Sequence, residues 1–200
     1  MSSRLSGTMG TIFMTTFELI KKRRTIRKFK QKKIPEKILI NCLEAARLAP
    51  SSRNQQPLEY ILITKNLEKV FKTVGWAADL KDGEPKKNEK PTAYILVVAN
   101  KDINPNCQHD VGLAVENIIL TALENNVASC ILGSADKEKL SQNFNIPQSY
   151  QVELVVALGY PAHKSIAEES NGKIKYWIDE NEVWHIPKRR LEDIIHKEKF

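Results

Sequence analysis

The chain has 200 residues, 42% of them hydrophobic and 28% charged, with a net charge of +7. These proportions exclude a wholly disordered chain and suit one globular domain with a continuous core; the positive surplus suits nucleic acid or an anionic ligand without selecting either. The longest apolar run, "AYILVVA" at 93–99, is far too short to cross a bilayer, and no export signal opens the chain, so a cytoplasmic setting is expected.

In chain order, residues 1–13, "MSSRLSGTMGTIF", lack periodicity and are expected to be a disordered extension or tag, which leaves 14–200 as a single domain. A short helix at 17–22 leads into "RRTIRKFKQKK" at 23–33, which holds seven basic residues and no acid. Pro35 opens the next helix, with Ile38, Leu39, Cys42, Leu43, Ala46 and Ala49 on one side at helical spacing, and Pro50 ends it. The polar loop "PSSRNQQP" follows, and "LEYILIT" and "AYILVVA" read as strands. Between them lie a weakly patterned helix, "LEKVFKTVGW", and the lysine-rich "DLKDGEPKKNEKP", expected to be a surface loop or a mobile lid.

The strongest helical pattern is "DVGLAVENIILTALENN", where Val111, Ala114, Val115, Ile118, Ile119 and Ala122 form a wide apolar stripe and Asp110 is expected to cap the start. Then come a strand over "VASCILG", a short helix at 137–144 and a strand over "VELVVALGYP". Two short strands about 179–182 and a terminal helix over "RRLEDIIHKE" complete the pattern. The order admits an α+β or an α/β domain, and its alternation suggests a doubly wound sheet. No Gly-x-Gly-x-x-Gly and no P-loop is present, so any bound phosphate must be held by side chains.

Arginines at a helix entry can hold a phosphate by bidentate, charge-assisted hydrogen bonds, which makes Arg23, Arg24 and Arg27 the residues to follow. A solvated basic face is the plain alternative, and a nucleic-acid surface a third. Ser51, Ser52, Asn54, Gln55 and Gln56 combine donors and acceptors on a loop pinned by two prolines, as recognition of a polar heteroaromatic edge needs; a simple turn uses the same residues. The four histidines and Cys42, Cys107 and Cys130 have no spacing that suggests a metal site, a triad or a disulfide framework. Trp76 and Phe71 read as packing residues under the lid, and Trp177 and Trp184 as anchors for the C-terminal segment on a partner subunit.

Taken together, "RRTIRKF", the later "AARLAPSSRNQQP", "DVGLAVENIILTALENN", "VASCILG", "GYPAHK" and "IPKRRLEDIIHKE" resemble the flavin-binding pattern of the nitroreductase family, over residues 17 to about 197. The resemblance implies an α+β sandwich, a mixed and mostly antiparallel sheet flanked by helices, in an intertwined homodimer with FMN at the interface. It implies that Arg23, Arg24, Thr25 and Arg27 contact FMN, that Ser51, Ser52, Asn54 and Gln56 hydrogen-bond the ring from the neighbouring subunit, and that Ile131, Leu132 and Gly133 lie along it. Lys188 and Arg189 would help hold the phosphate. No side chain is then needed as a catalyst: NADH or NADPH would reduce the flavin at N5, and a small electron-poor acceptor such as a nitroaromatic or quinone would take the electrons in a ping-pong cycle. Arg24 or Arg27 would stabilise negative charge on the reduced ring. A flavin-binding protein with little turnover and a nucleic-acid-binding protein using 23–33 are the alternatives. "NNVAS" stands where many family members carry a glycine-rich "GLGS", so the backbone ahead of "CILG" is expected to differ.

Overall fold

Thr15 and Glu18 start the first helix by a reciprocal cap: Glu18 N donates to Thr15 Oγ1 at 3.3 Å, and Thr15 N to Glu18 Oε2 at 2.7 Å. This helix, α1 (Thr16–Lys22), ends where the basic stretch begins, with Arg23 N donating to Leu19 O at 2.8 Å. The computed structural model describes residues 14–76 and 83–200; the expected extension 1–13 and part of the expected lid, 77–82, lie outside the described residues.

The sheet is built around β5 (Tyr150–Pro161). It pairs with β3 (Ala93–Asn100), which pairs in turn with β2 (Leu58–Ile63), and it pairs also with β4 (Ala128–Leu132) and, at its C-terminal end, with the two-residue β1 (Phe29–Lys30). All four pairings are antiparallel, so the doubly wound reading gives way to the α+β one. Helix-strand alternation does not fix strand direction, and here the long connections bring each strand back against its neighbour.

Successive side chains of β3 point to opposite faces. Ala93, Ile95, Val97 and Ala99 join the core under α2 (Glu36–Arg47) and α4 (Gln108–Glu124). Tyr94, Leu96 and Val98 join the second core with Val70 and Phe71 of α3 (Glu68–Phe71) and Leu140 of α5 (Lys137–Phe144). Because both faces are covered, β3 reads as an unbroken apolar run. Phe29 lies against Gly159, where an added Cβ would sit 2.7 Å from the ring; the edge strand can approach β5 only because that position lacks a side chain. The stripe on α4 is buried as expected, and Trp76 and Phe71 pack at 5.7 Å between centroids. Burial pushes the Cys42 thiol up to about 12 and Cys130 to about 11, so neither supplies a thiolate near neutral pH.

After β5 the chain forms a small separate sheet in which β8 (Trp184–Lys188) pairs in parallel with β6 (Ser165–Glu169) and antiparallel with β7 (Trp177–Ile178), which makes the fold mixed. The terminal helix expected over 189–198 is replaced by a single 3-10 turn, Leu191–Asp193. Leu191, Ile194 and Ile195 are exposed, and so short a helix has little stability without a surface for its apolar side. Residues 83–91 of the expected lid form a surface loop held to the body by Lys90, which pairs with Glu68 at 2.9 Å and whose carbonyl accepts from Gln31 Nε2 at 2.9 Å. No described helix is long and apolar enough to cross a membrane.

Candidate functional site

From Arg23 the chain runs extended along the outer edge of β4. Thr25 bridges Ser129, Ile26 N donates to Ser129 O at 2.9 Å, and the Ile26 side chain enters the α3/α5 core. Arg23, Arg24, Thr25 and Arg27 line one cavity of about 140 Å3 together with Tyr176, Ile186 and Lys188. Four cationic side chains from two distant segments thus converge, and no acidic residue lines the cavity. Arg27 lies 5.1 Å from the Trp184 ring centroid and 5.3 Å from that of Tyr176, within cation–π range. Among the described residues no carboxylate pairs with Arg27 or Lys188; Arg23 has only the long contact of 3.9 Å with Glu116 of α4. A phosphate is the chemical complement of such a set, since guanidinium and ammonium groups donate to its oxygens while its charge offsets theirs.

Arg24 has a second task. Its guanidinium donates to the carbonyls of Arg23 and Lys21 and so closes the end of α1; burial, and then the neighbouring Arg23, lower its pKa. Of the two arginines expected to support a charged ring, Arg27 is the one whose guanidinium is not committed to backbone carbonyls. Lys188 joins the cavity, but Arg189 turns away, its Nη2 donating to Asp193 O at 2.8 Å.

The loop lies elsewhere in this chain. Ser51 and Gln56 border a separate cavity of about 70 Å3 with Arg47, Tyr60 and Asp110, while Ser52 and Asn54 are exposed. Ser51 Oγ accepts from Gln56 N at 3.0 Å, and Gln56 Nε2 donates to Asn54 O at 3.3 Å. Arg53, Asn54 and Gln56 all have positive φ, of 52°, 56° and 50°. Asp110, expected to cap α4, does not: the helix starts two residues earlier, and its Oδ1 instead accepts from Ser52 N at 3.0 Å. Ile131 is exposed on β4, whereas Leu132 is buried in the α3/α5 core and offers only backbone to a ligand; Gly133 is exposed beyond the strand.

Tyr176, Trp184 and Ile186 were not legible as cavity walls. Trp184, expected with Trp177 to anchor the C-terminal segment on a partner, is buried within its own chain, stacked on Tyr176 and tilted 4.9 Å from His163. His163 is neutral there: burial, then Lys28 and Arg27, push its pKa down to about 4. Trp177 is exposed and stacks on His185, whose Nδ1 and Nε2 lie 2.7 Å from Glu168 and 3.2 Å from Asp179. A wider cleft of about 890 Å3 runs between Glu168 and Ile178 on the small sheet, but no candidate residue lines it. No metal-binding cluster occurs among the described residues.

Iodotyrosine deiodinase of Thermotoga neapolitana is 27% identical over 163 residues, covering 72% of this chain and 88% of its own length. Among solved structures, an FMN-dependent nitroreductase of Clostridium difficile R20291 superposes with a TM-score of 0.70 at 23% identity, covering 91% of this chain and 98% of that one. A nitroreductase family protein of Streptococcus pneumoniae TIGR4 gives 0.67 at 18% identity over 92% and 100%; at these identities the two structures speak for the fold alone. The nitroreductase family model matches residues 20–160, which include the basic stretch, the loop, α4 and all but the last residue of the five-stranded sheet: the chain belongs to the nitroreductase family.

Proposed function

We propose that the chain is an FMN-dependent NAD(P)H oxidoreductase that reduces small electron-poor acceptors such as nitroaromatics or quinones in a ping-pong cycle. Family membership supports an oxidoreductase, and the observation that carries the cofactor assignment is the convergence of Arg23, Arg24, Arg27 and Lys188 on one cavity without an acid. Bound FMN would accept hydride from the nicotinamide and pass electrons to the acceptor. Arg23, Arg27 and Lys188 hold the phosphate, and Thr25 adds a hydroxyl donor. Arg24 closes α1 and so orients its neighbours. Ile131 and the backbone from Leu132 to Gly133 form a surface for the ring. Ser51, Ser52, Asn54 and Gln56 reach the flavin of a second copy, since in their own chain none of them lines the basic cavity: Ser51 and Gln56 border a different one, and Ser52 and Asn54 are exposed. A homodimer with two such sites, each subunit contributing residues 14–200 as one domain, follows from that division of labour, and the proposed setting is the cytoplasm.

The basic stretch is poorly suited to nucleic acid. Arg24 is turned to carbonyls, Arg27 lies against two aromatic rings, Lys28 is 4.0 Å from Glu89, and Lys32 lies over Tyr160. These cations do not form an open strip. The similarity to iodotyrosine deiodinase adds iodinated phenols to the acceptors worth screening.

The test is a visible spectrum of the purified protein, chromatography of any released chromophore, and anaerobic addition of NADH or NADPH. Yellow protein containing FMN should bleach on reduction and regain colour with a nitroaromatic or quinone. Protein that is colourless and fails to take up added FMN would overturn the reading.

A further inference from the structure

Asp110 is the one charged residue among the described interior ones, only 4% exposed. Burying a carboxylate is unfavourable unless its surroundings compensate it. Its place in the first turn of α4 does so in part, because a negative charge there meets the positive end of the helix dipole. Its Oδ1 accepts from the backbone of Ser52, fifty-eight positions away in sequence, and its Oδ2 has no partner among the described residues.

The loop that Asp110 holds is strained. Arg53, Asn54 and Gln56 occupy the left-handed region, which side-chain-bearing residues adopt only when their surroundings impose it. Beside the turn bonds of Asn54 N to Ser51 O, Gln55 N to Ser52 O and Gln56 Nε2 to Asn54 O, three further contacts hold it: Asp110 to Ser52 N, Ser51 Oγ to Gln56 N, and Gln55 Nε2 to Ile103 O at 3.3 Å. The second is internal to the loop, and the third comes from an exposed side chain. Only the first ties the loop to a buried group on a long helix.

We infer that Asp110 is a positioning residue: its buried carboxylate fixes residues 51–56 in the conformation that presents Ser52, Asn54 and Gln56 outward as a ready-made hydrogen-bonding platform. The inference rests on the flavin reading above for the platform's ligand, but not for the state of the loop. A preformed platform loses less conformational freedom on binding than a loop that must order around its ligand.

Two measurements separate these parts: amide hydrogen exchange of residues 51–56 in flavin-free protein, and FMN affinity by fluorescence titration. Asp110→Ala should speed loop exchange and weaken FMN binding, each by about tenfold, while the amides of 111–122 keep their protection. Asp110→Asn should stay within about threefold of the parent in both, because the amide oxygen still accepts from Ser52 N. If Asp110→Ala fails to fold, Ser52→Pro deletes the same hydrogen bond from the loop side and should speed loop exchange likewise. Unchanged loop exchange in the folded variants, or Asp110→Asn falling as far as Asp110→Ala, would overturn the role. A loosened loop with unaltered FMN affinity would overturn its link to the flavin. A loosened loop in a protein whose parent binds no FMN would uphold the positioning and sink the flavin reading instead.

Discussion

In the body, β3 and β5 lie between two helical layers, and side chains such as Ile95, Leu96 and Leu158 are wholly buried. In the C-terminal arm, 164–200, Trp184 is the buried large side chain, while Ile174, Trp177, Leu191, Ile194 and Ile195 stand exposed, Ile174 by 69% and Leu191 by 68%. The body thus has a buried core on each face of its sheet, although Phe17 and Leu48 on its helices stand exposed by 67% and 65%, whereas the arm has exposed apolar side chains around a single buried tryptophan. A segment with this much uncovered apolar surface is explained if another surface covers it, and a second copy is the partner that the proposed shared flavin site requires.

The largest expected effect is on the body. Leu158→Ala should cost about 2–5 kcal/mol in urea unfolding, whereas Ile195→Ala should shift a monomer by no more than about 0.5 kcal/mol; comparable losses would erase the contrast between the regions. Next, Arg27→Ala should weaken FMN roughly 10–100-fold in a protein of unchanged fold, read by flavin titration beside circular dichroism. Third, Leu191→Asp with Ile195→Asp should turn the proposed dimer into monomers in sedimentation while leaving the far-ultraviolet spectrum in place; a dimer that survives would move the interface off the arm. Smaller still, Lys188→Ala should weaken FMN about tenfold and Arg189→Ala by less than about threefold, because Arg189 is already engaged with Asp193.

The smallest effect is the arm's response to pH. The hydrogen bond to Glu168, with a further one to Asp179, raises the pKa of His185 above its ordinary 6.5. Its contribution to holding β6, β8 and the 179–183 turn together is complete below 6.5 and lost as pH rises through the folded value. The lowered carboxylates behave oppositely: what Glu168 and Asp179 contribute is complete above their ordinary 4.5 and 3.8 and lost as pH falls through their folded values. The clasp is therefore tightest between 4.5 and 6.5. All three groups are solvent-screened, so the effect is slight. Limited proteolysis of the arm should quicken between about pH 6 and about pH 8, and His185→Gln should flatten that profile; an unchanged slope would remove the clasp.

Long periodic elements were legible in the sequence. The helix at 137–144 appears with those bounds, and the stripe on α4 is buried residue for residue, because local spacing decides both. Strand direction was not, since it depends on pairing between distant segments. Nor were β1 and β6, too short or too exposed to leave an alternating pattern. In the candidate site, charge type singled out Arg23 and Arg27, the family resemblance added Lys188, and folding brings the three to one cavity. The competing uses of these side chains were hidden: Arg24 closes a helix, Arg189 meets a local carbonyl, and Asp110 serves a loop rather than its own helix. Each such partner is chosen by geometry, and sequence lists only what is available to choose.

Arg27 rests over the Trp184 indole, so whatever draws that cation away alters the electric field on a fluorophore. The protein thereby carries an optical gauge at the candidate site. Inorganic phosphate, colourless and without redox chemistry, should shift the emission of Trp184 if it enters the cavity, and a chain in which Trp76 and Trp177 are replaced by phenylalanine would report that entry alone.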